Sequence, residues 1–346
     1  MEVIRARNVN DAWDQAKVLL NAAHIVRPSR VGEVWEYPVP VTTVYDRPQE
    51  RILFNEERNV NPYFHFMEGL WMLSGSNEIA WLVQFNKRMV DFSDDGIIQH
   101  GAYGHRWRRA FDLDGGAEDD YADQLGKIVR MLKKNPNERR AVLTMWNPLW
   151  DLERPELKDV PCNTQIYFKI RPQFNSPNPE ALKGALSMIV TCRSNDIVWG
   201  CYGANVVHMS MLQEYMAAMI GVPMGPYYQV SDSWHAYTER WEQFGGNSKV
   251  KSPNPYVDFH TYPYRMVECP ETFDADLERW MLMRRCTGAN PFFEEVAEPL
   301  MKSWEAYKRN DFEQARIYAA LCEANDLRKA TLFWLQRIEQ KRGAKA

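Results

Sequence analysis

A cysteine directly after a proline, Pro161-Cys162-Asn163-Thr164, and a later arginine cluster, Arg193-Ser194-Asn195-Asp196, are the residues of this 346-residue chain best suited to chemistry. The thiolate is the nucleophilic form of cysteine, and a nearby guanidinium favours it while offering a planar fork of donors to a phosphate. The combination points to covalent chemistry on a nucleotide. Cys162 opens a run of alternating character, Gln165-Ile166-Tyr167-Phe168-Lys169-Ile170-Arg171, and Arg193 follows another, Ala185-Leu186-Ser187-Met188-Ile189-Val190-Thr191-Cys192. Both runs read as strands, and the Pro- and Asn-rich residues 172–183 read as a long hairpin connection between them. The two motifs are therefore expected on neighbouring antiparallel strands. Singly, each has a plainer reading: cysteines are usually small buried hydrophobes, and strand-end arginines are usually surface charges.

The elements that must position these residues follow from periodicity and punctuation. Residues 11–23 read as a helix with Asn8 or Asn10 available as its cap, and residues 31–54 as a β-rich segment. Asn61-Pro62 opens a helix whose apolar Phe64, Met67, Leu70, Trp71 and Met72 recur at helical spacing, which puts Glu68 on or beside a buried face. A carboxylate there is either ion-paired or a general acid/base whose pKa is raised by apolar neighbours. Residues 123–134 read as an amphipathic helix, 141–146 as a strand and 206–220 as a helix stopped by Gly221 and Pro223. His208 and Trp199 read as packing residues. From about Pro253 a Pro/Tyr-rich connector leads into helical periodicity over 273–285, 291–309 and 311–340. The expected organisation is a domain over 1–252 and a connector with an α-helical extension over 253–346.

Hydrophobic residues make up 45% of the chain and aromatics 13%, enough for a large core. The net charge of −4, with Lys and Arg scattered, gives no footprint for duplex DNA or RNA, so no stable nucleic-acid partner is expected. The N-terminus lacks the apolar core of a signal peptide and no run approaches a membrane span, so a cytoplasmic protein is expected. The six cysteines show no CxxC pair or His-spaced pattern, so neither a metal site nor a disulfide framework is expected.

Pro161-Cys162-Asn163, Arg193-Ser194-x-Asp196, Tyr103-Gly104-x-x-Trp107-Arg108, Arg139-Arg140 and His235-x-Tyr237 occur in an order that resembles the thymidylate synthase family, which includes phage deoxycytidylate hydroxymethylases. The segment 64–75 around Glu68 also looks like the family's helix carrying an essential glutamate. The resemblance spans residues 28–237. It implies an α/β (α+β) fold, a mixed or antiparallel sheet flanked by helices, here with the C-terminal α-helical extension added. It further implies transfer of a one-carbon unit from 5,10-methylenetetrahydrofolate to C5 of a pyrimidine nucleoside 5′-monophosphate, in a homodimer and without a metal. Cys162 would add to C6 and make C5 nucleophilic, and Glu68 and Tyr103 would serve the proton steps. Arg193, Arg30 and Ser194 would hold the phosphate, with Arg139 and Arg140 donated by the partner subunit. Asp196 would orient the pyrimidine, Asn205 would read its edge, and His235 and Tyr237 would bind the sugar 3′-hydroxyl. Arg27 stands close enough in sequence to compete with Arg30 for its role.

This chain departs from the synthase pattern in three respects. Asn205 arrives one residue late after Arg-Ser-x-Asp, a surplus that a bulge beside Gly203 could absorb, and the hydroxymethylases carry aspartate at that position. An asparagine amide can face uracil or, flipped, part of cytosine. The chain ends in Gln340-Lys341-Arg342-Gly343-Ala344-Lys345-Ala346 rather than an apolar tail, so water rather than hydride is expected to capture the nascent methylene. The Cys162 and Arg193 motifs sit closer to the hydroxymethylase branch. Hydroxymethylation of dCMP is the reading taken. Thymidylate synthesis from dUMP and dUMP hydroxymethylation are its alternatives, and a non-enzymatic nucleotide- or RNA-binding relative is the reading from another class.

Overall fold

The computed structural model describes residues 1–111, 123–154, 156–173, 179–257, 261–285 and 288–343. Parts of the 172–183 and 253–263 connections, Cys286 and residues 344–346 of the C-terminal segment lie outside the described residues.

Eight strands form one mixed sheet: β1 (Glu2–Ala6), β2 (Ile25–Ser29), β3 (Gly32–Glu36), β4 (Val41–Tyr45), β5 (Val142–Thr144), β6 (Asn163–Arg171), β7 (Ala185–Asp196) and β8 (Met224–Tyr237). The order is β1-β4-β8-β7-β6-β5, and the β2-β3 hairpin joins the far end of β8 through β3. β6 and β7 are antiparallel neighbours as their alternation predicts. β8 lies between β4, antiparallel to it, and β7, parallel to it. Over residues 224–231 its burial alternates with period two, the buried set being Gly225, Tyr227, Gln229 and Ser231, and Trp234, His235 and Ala236 follow as a continuous buried run. An apolar/polar pattern does not signal such a strand.

A parallel pair needs a crossover, and a helix is its usual vehicle. Here the crossover is the Asn205–Ile220 helix, buried along nearly its whole length. It ends at Gly221, whose φ of 88° is a left-handed conformation that glycine adopts without a Cβ clash. The Pro62–Leu73 helix packs against it, with the Asn61 side chain accepting the Phe64 N–H at 3.2 Å and proline in the first turn. The Tyr103–Arg108 helix lies against the Pro62–Leu73 helix so closely that a Cβ at Gly104 would come within 1.9 Å of the Met72 carbonyl oxygen.

The β-rich reading of 31–54 holds only to Tyr45; beyond it Pro48 interrupts the run and residues 46–55 are irregular. The continuous periodicity of 311–340 is also broken. Helices Phe312–Ala320 and Asn325–Gly343 are separated by a turn in which Cys322 and Ala324 are buried and the Glu323 N–H donates to the Glu295 carbonyl at 2.9 Å. The C-terminal helices continue the main core. The Tyr63 and Ser303 hydroxyls meet at 2.6 Å, and the Tyr63 ring packs on Trp304 and Trp334. No described helix is long and apolar enough to cross a membrane.

Gly104→Ala should lower stability by about 1–3 kcal/mol, the scale of forced overpacking, because its neighbour is backbone and cannot turn aside. Urea unfolding checks this, and an unchanged midpoint would contradict the close contact.

Candidate active site

Cys162 sits where β6 begins. Asn163 pairs with Cys192 but Gln165 pairs with Thr191, so the ladder shifts at Thr164 immediately beyond the nucleophile candidate. Such irregularities re-aim side chains. The shift is held by the Thr164 and Thr191 hydroxyls at 2.8 Å and by the Cys192 thiol donating to Asn163 Oδ1 at 2.9 Å.

The loop before Cys162 is tied down through its carbonyl oxygens. Arg193 Nε donates to Pro161 (3.1 Å) and Nη2 to Val160 (3.0 Å), while Trp146 Nε1 also donates to Pro161 (2.9 Å). Arg30 donates to the Leu157 and Lys158 carbonyls at 3.1 and 3.0 Å. Arg27 instead pairs with Glu36 at 2.9 Å. Both loop-binding guanidiniums are otherwise exposed beside Cys162, and two exposed forks on one side suit an anion.

Tyr103, from the Tyr103–Arg108 helix, lies near enough to Cys162 for the two groups to influence each other's ionisation. Burial pushes the phenol well above its ordinary value, so it remains a neutral O–H donor. Burial also pushes the Cys162 thiol up. Arg193 opposes that shift, Asp159 adds to it, and Tyr103 pulls the other way. Arg193 thus favours the thiolate, as expected of a nearby guanidinium, but desolvation outweighs it and the thiol stands above its ordinary value.

Parallel pairing of β7 and β8 sets Ser194 opposite Ser233, Asn195 opposite Trp234 and Asp196 opposite His235. His235 is buried, its Nδ1 3.1 Å from the Ser233 hydroxyl. Tyr237, half-buried, feels both Asp196 and Cys162. Asp196 Oδ1 accepts the Trp199 N–H at 2.6 Å, whereas its buried Oδ2 has no partner among the described residues. Burial raises this carboxyl, and His235 and Arg58 pull it back. Arg58 is itself buried, 4.4 Å over the Trp13 ring, and desolvation lowers its guanidinium to about 10.

The surplus residue before Asn205 is absorbed, but not by a strand bulge. Residues Ile197–Ala204 form a widened helical turn with non-helical backbone at Tyr202 and Gly203, a device common at functional sites. Asn205 then opens the crossover helix. Its Nδ2 donates to Asn195 Oδ1 (3.2 Å), and Asn195 Nδ2 donates to Ser231 Oγ (2.9 Å). The Asn205 amide keeps its carbonyl and one N–H.

Glu68 faces His208, Oε2 to Nε2 3.2 Å, with both side chains buried. His208 lies on the same helix face as Asn205, one turn on, which brings Glu68 towards the Asn205 amide. His65 stands beside this pair, ring centroids 6.3 Å apart, and burial with His208 and Arg58 lowers it to about 3, so it is neutral.

Arg139 and Arg140 are not part of this cluster. Arg140 pairs with Glu138 at 2.9 Å, and both arginines precede β5, whose Val142 pairs with Tyr167. Continuing that register sets them beside the last residues of β6, roughly 20 Å from Cys162 at a rise of ~3.3 Å per residue. Arg58, His65, His208 and Asp159 lie near the centre but are not candidates on sequence grounds. His208 was set aside as packing because a histidine in an apolar helix carries no distinctive signal. Asp159 had no periodic context at all.

Residues 43–267 match the family model described as thymidylate synthase. Over 352 aligned residues the chain is 41% identical to a deoxyuridylate hydroxymethyltransferase of Pseudomonas phage M6, covering 97% of this chain and 94% of that protein. The same named enzyme from Bacillus phage SP01 is 37% identical over 203 residues, 58% of this chain and 50% of that one. A putative thymidylate synthase of Methanosarcina acetivorans is 26% identical over 245 residues, 69% and 91% of the two chains.

Alkylation of Cys162 by iodoacetamide, followed peptide by peptide, should rise with pH along a titration above the ordinary thiol value of about 8.5. Arg193→Gln should move that titration higher still. A midpoint below the ordinary value would contradict the balance between burial and charge.

Proposed function

This chain belongs to the thymidylate synthase family and transfers a one-carbon unit to C5 of a pyrimidine nucleotide, and from that premise we propose that it hydroxymethylates dUMP. The observation that carries the base is the Asn205 amide. With one N–H committed to Asn195, it offers a donor and an acceptor side by side. Uracil presents O4 as acceptor and N3–H as donor, the complement of that pair, whereas cytosine presents the reverse. In this orientation the amide suits uracil, and to meet cytosine it would have to turn over together with Asn195. The name of the phage M6 relative, aligned over nearly the whole chain, supports a hydroxymethyl rather than a methyl product.

The Cys162 sulfur bonds to C6 as its thiol proton passes to solvent water, and the C5–C6 π electrons move toward C5 and O4, giving C5 the electron density needed to take a one-carbon unit. 5,10-Methylenetetrahydrofolate, when bound, supplies that unit at the oxidation level of formaldehyde. Unpartnered, buried Asp196 Oδ2, Arg58 Nε and Nη1 and His65 Nδ1 suit a pterin, which brings ring N–H and carbonyl groups together. Asp196 and Arg58 are the residues assigned to hold it, and Asp196 also orients the pyrimidine. Glu68, held by His208, removes the C5 proton, and Tyr103 stabilises the developing negative charge as an O–H donor. Arg193, Arg30 and Ser194 bind the 5′-phosphate, and His235 and Tyr237 bind the 3′-hydroxyl. Arg139 and Arg140, too distant within one chain, reach the phosphate from the second subunit of a homodimer. Water then adds to the exocyclic methylene and Cys162 departs.

Mass spectrometry of nucleotides after incubation with methylenetetrahydrofolate should show a gain of CH₂O on dUMP and none on dCMP. A gain of CH₂ with dihydrofolate would instead establish methylation, and no change with any nucleotide would return the chain to a binding role. Cys162→Ala should abolish turnover with dUMP affinity kept within a few-fold. Asn205→Asp should shift the preference from dUMP towards dCMP, read as the ratio of kcat/KM values.

A further inference from the structure

Once Cys162 has given up its proton and bonded to C6, hydroxymethylation still needs a base at two further steps, one at C5 and one at the water that becomes the hydroxyl. Glu68, buried against His208, serves the first. We propose that Asp159 is the general base for the second, deprotonating the water that attacks the exocyclic methylene; this rests on the hydroxymethylation read above.

Asp159 belongs to the loop that delivers Cys162, and that loop is held on both sides of it. Arg30 grips the carbonyls of Leu157 and Lys158, and Arg193 those of Val160 and Pro161. The Lys158 N–H donates to Asp94 Oδ1 at 3.1 Å. The aspartate therefore projects from ordered backbone, as a base that must meet one water molecule requires. Its Oδ2 accepts the Gly101 N–H at 2.9 Å, in the segment that leads into Tyr103. A Cβ at Gly101 would lie 3.1 Å from Asp159 Oδ1 and 3.0 Å from Pro161 N, so glycine is what lets the carboxyl lie this close. The side chain acts electrostatically on both Cys162 and Tyr103, which places it in their field. Unlike the largely buried Glu68, Asp159 keeps partial exposure, which gives water a route to it.

Its charge state suits the task. Burial raises the carboxyl to about 6, and Asp94 pushes the same way, while the Gly101 N–H, His100 and Arg106 pull it down. It is ionised at neutral pH yet a stronger base than an ordinary carboxylate. In the step itself the water oxygen bonds to the methylene carbon, and the water proton passes to Asp159. The electron pair of the exocyclic double bond moves to C5 and then forms the C5–C6 double bond, which breaks the C6–S bond. Cys162 leaves as thiolate and recovers the proton from Asp159, since its thiol is the weaker acid of the two. Nothing is oxidised or reduced.

Asp159→Asn keeps an acceptor for Gly101 and removes the base. The experiment uses dUMP deuterated at C5 with methylenetetrahydrofolate and reads label release, hydroxymethyl product and their pH profiles, with 2-mercaptoethanol added as a trap for the methylene. We expect label release within a few-fold of wild type and product formation reduced about a hundredfold or more. The limb of the pH profile near 6 should disappear, and the thioether of the trap should appear on the nucleotide. Product formation and pH profile like those of wild type would overturn the assignment. Parallel loss of label release and product would also overturn it, because Asp159 would then only shape the loop. Wild-type enzyme yielding a methyl product, or none, from dUMP would fail the underlying reading instead, before the variant is compared.

Discussion

The parallel pairing of β7 with β8 is the constraint on which the rest of the site depends. Two strands far apart in sequence run the same way only if the chain returns across a face of the sheet, and here it returns as the buried Asn205–Ile220 helix. That single connection sets Asp196 opposite His235 and starts the helix at Asn205. It also turns His208 towards Glu68 on the Pro62–Leu73 helix. The widened turn over Ile197–Ala204 is the adjustable joint in this arrangement, because one residue more or less there would rotate every helix residue about the axis by 100° or so.

Around Cys162, burial and charge act against each other and burial prevails. Cys162, Tyr103, Asp159 and Asp196 all titrate higher than they would in water, each chiefly through desolvation. Arg193, Arg106 and Arg58 moderate the shifts of Cys162, Asp159 and Asp196 in turn without reversing them. The result is a site that rests protonated at sulfur and phenol and ionises its half-exposed carboxylate, so that bases and acids coexist at one pH.

Much of this was legible in the sequence. The β6 and β7 runs, the capped Asn61-Pro62 helix and the glycine stop at 221 follow local rules and stand where those rules put them. β8 did not announce itself, because Gln229 and Ser231 occupy its buried positions while Val230 and Tyr228 are only half-buried. A polar residue is buried when another element brings it a partner, as Asn195 does for Ser231, and such partnership is tertiary information. Candidate residues that share a short motif could be grouped from sequence. The pairing of Glu68 with His208, the donation by Arg30 and not Arg27 to the 157 and 158 carbonyls, and the contact of Asp159 with Gly101 needed the folded chain. Arg139 and Arg140 show the converse, since a place in the motif order of the site does not bring them to Cys162 within the chain.

Arg193 grips the Val160 and Pro161 carbonyls with one side of its guanidinium while the remainder faces outward. An anion bound on the outward side would add a partner without removing one. Local opening of the nucleophile loop would then have to break both sets of contacts, so occupancy and loop order become thermodynamically linked. In such an arrangement the ligand acts as a structural member of the loop it visits: amides from 157 to 162 would exchange with solvent more slowly in its presence, and part of the intrinsic affinity would be stored as order rather than expressed as binding.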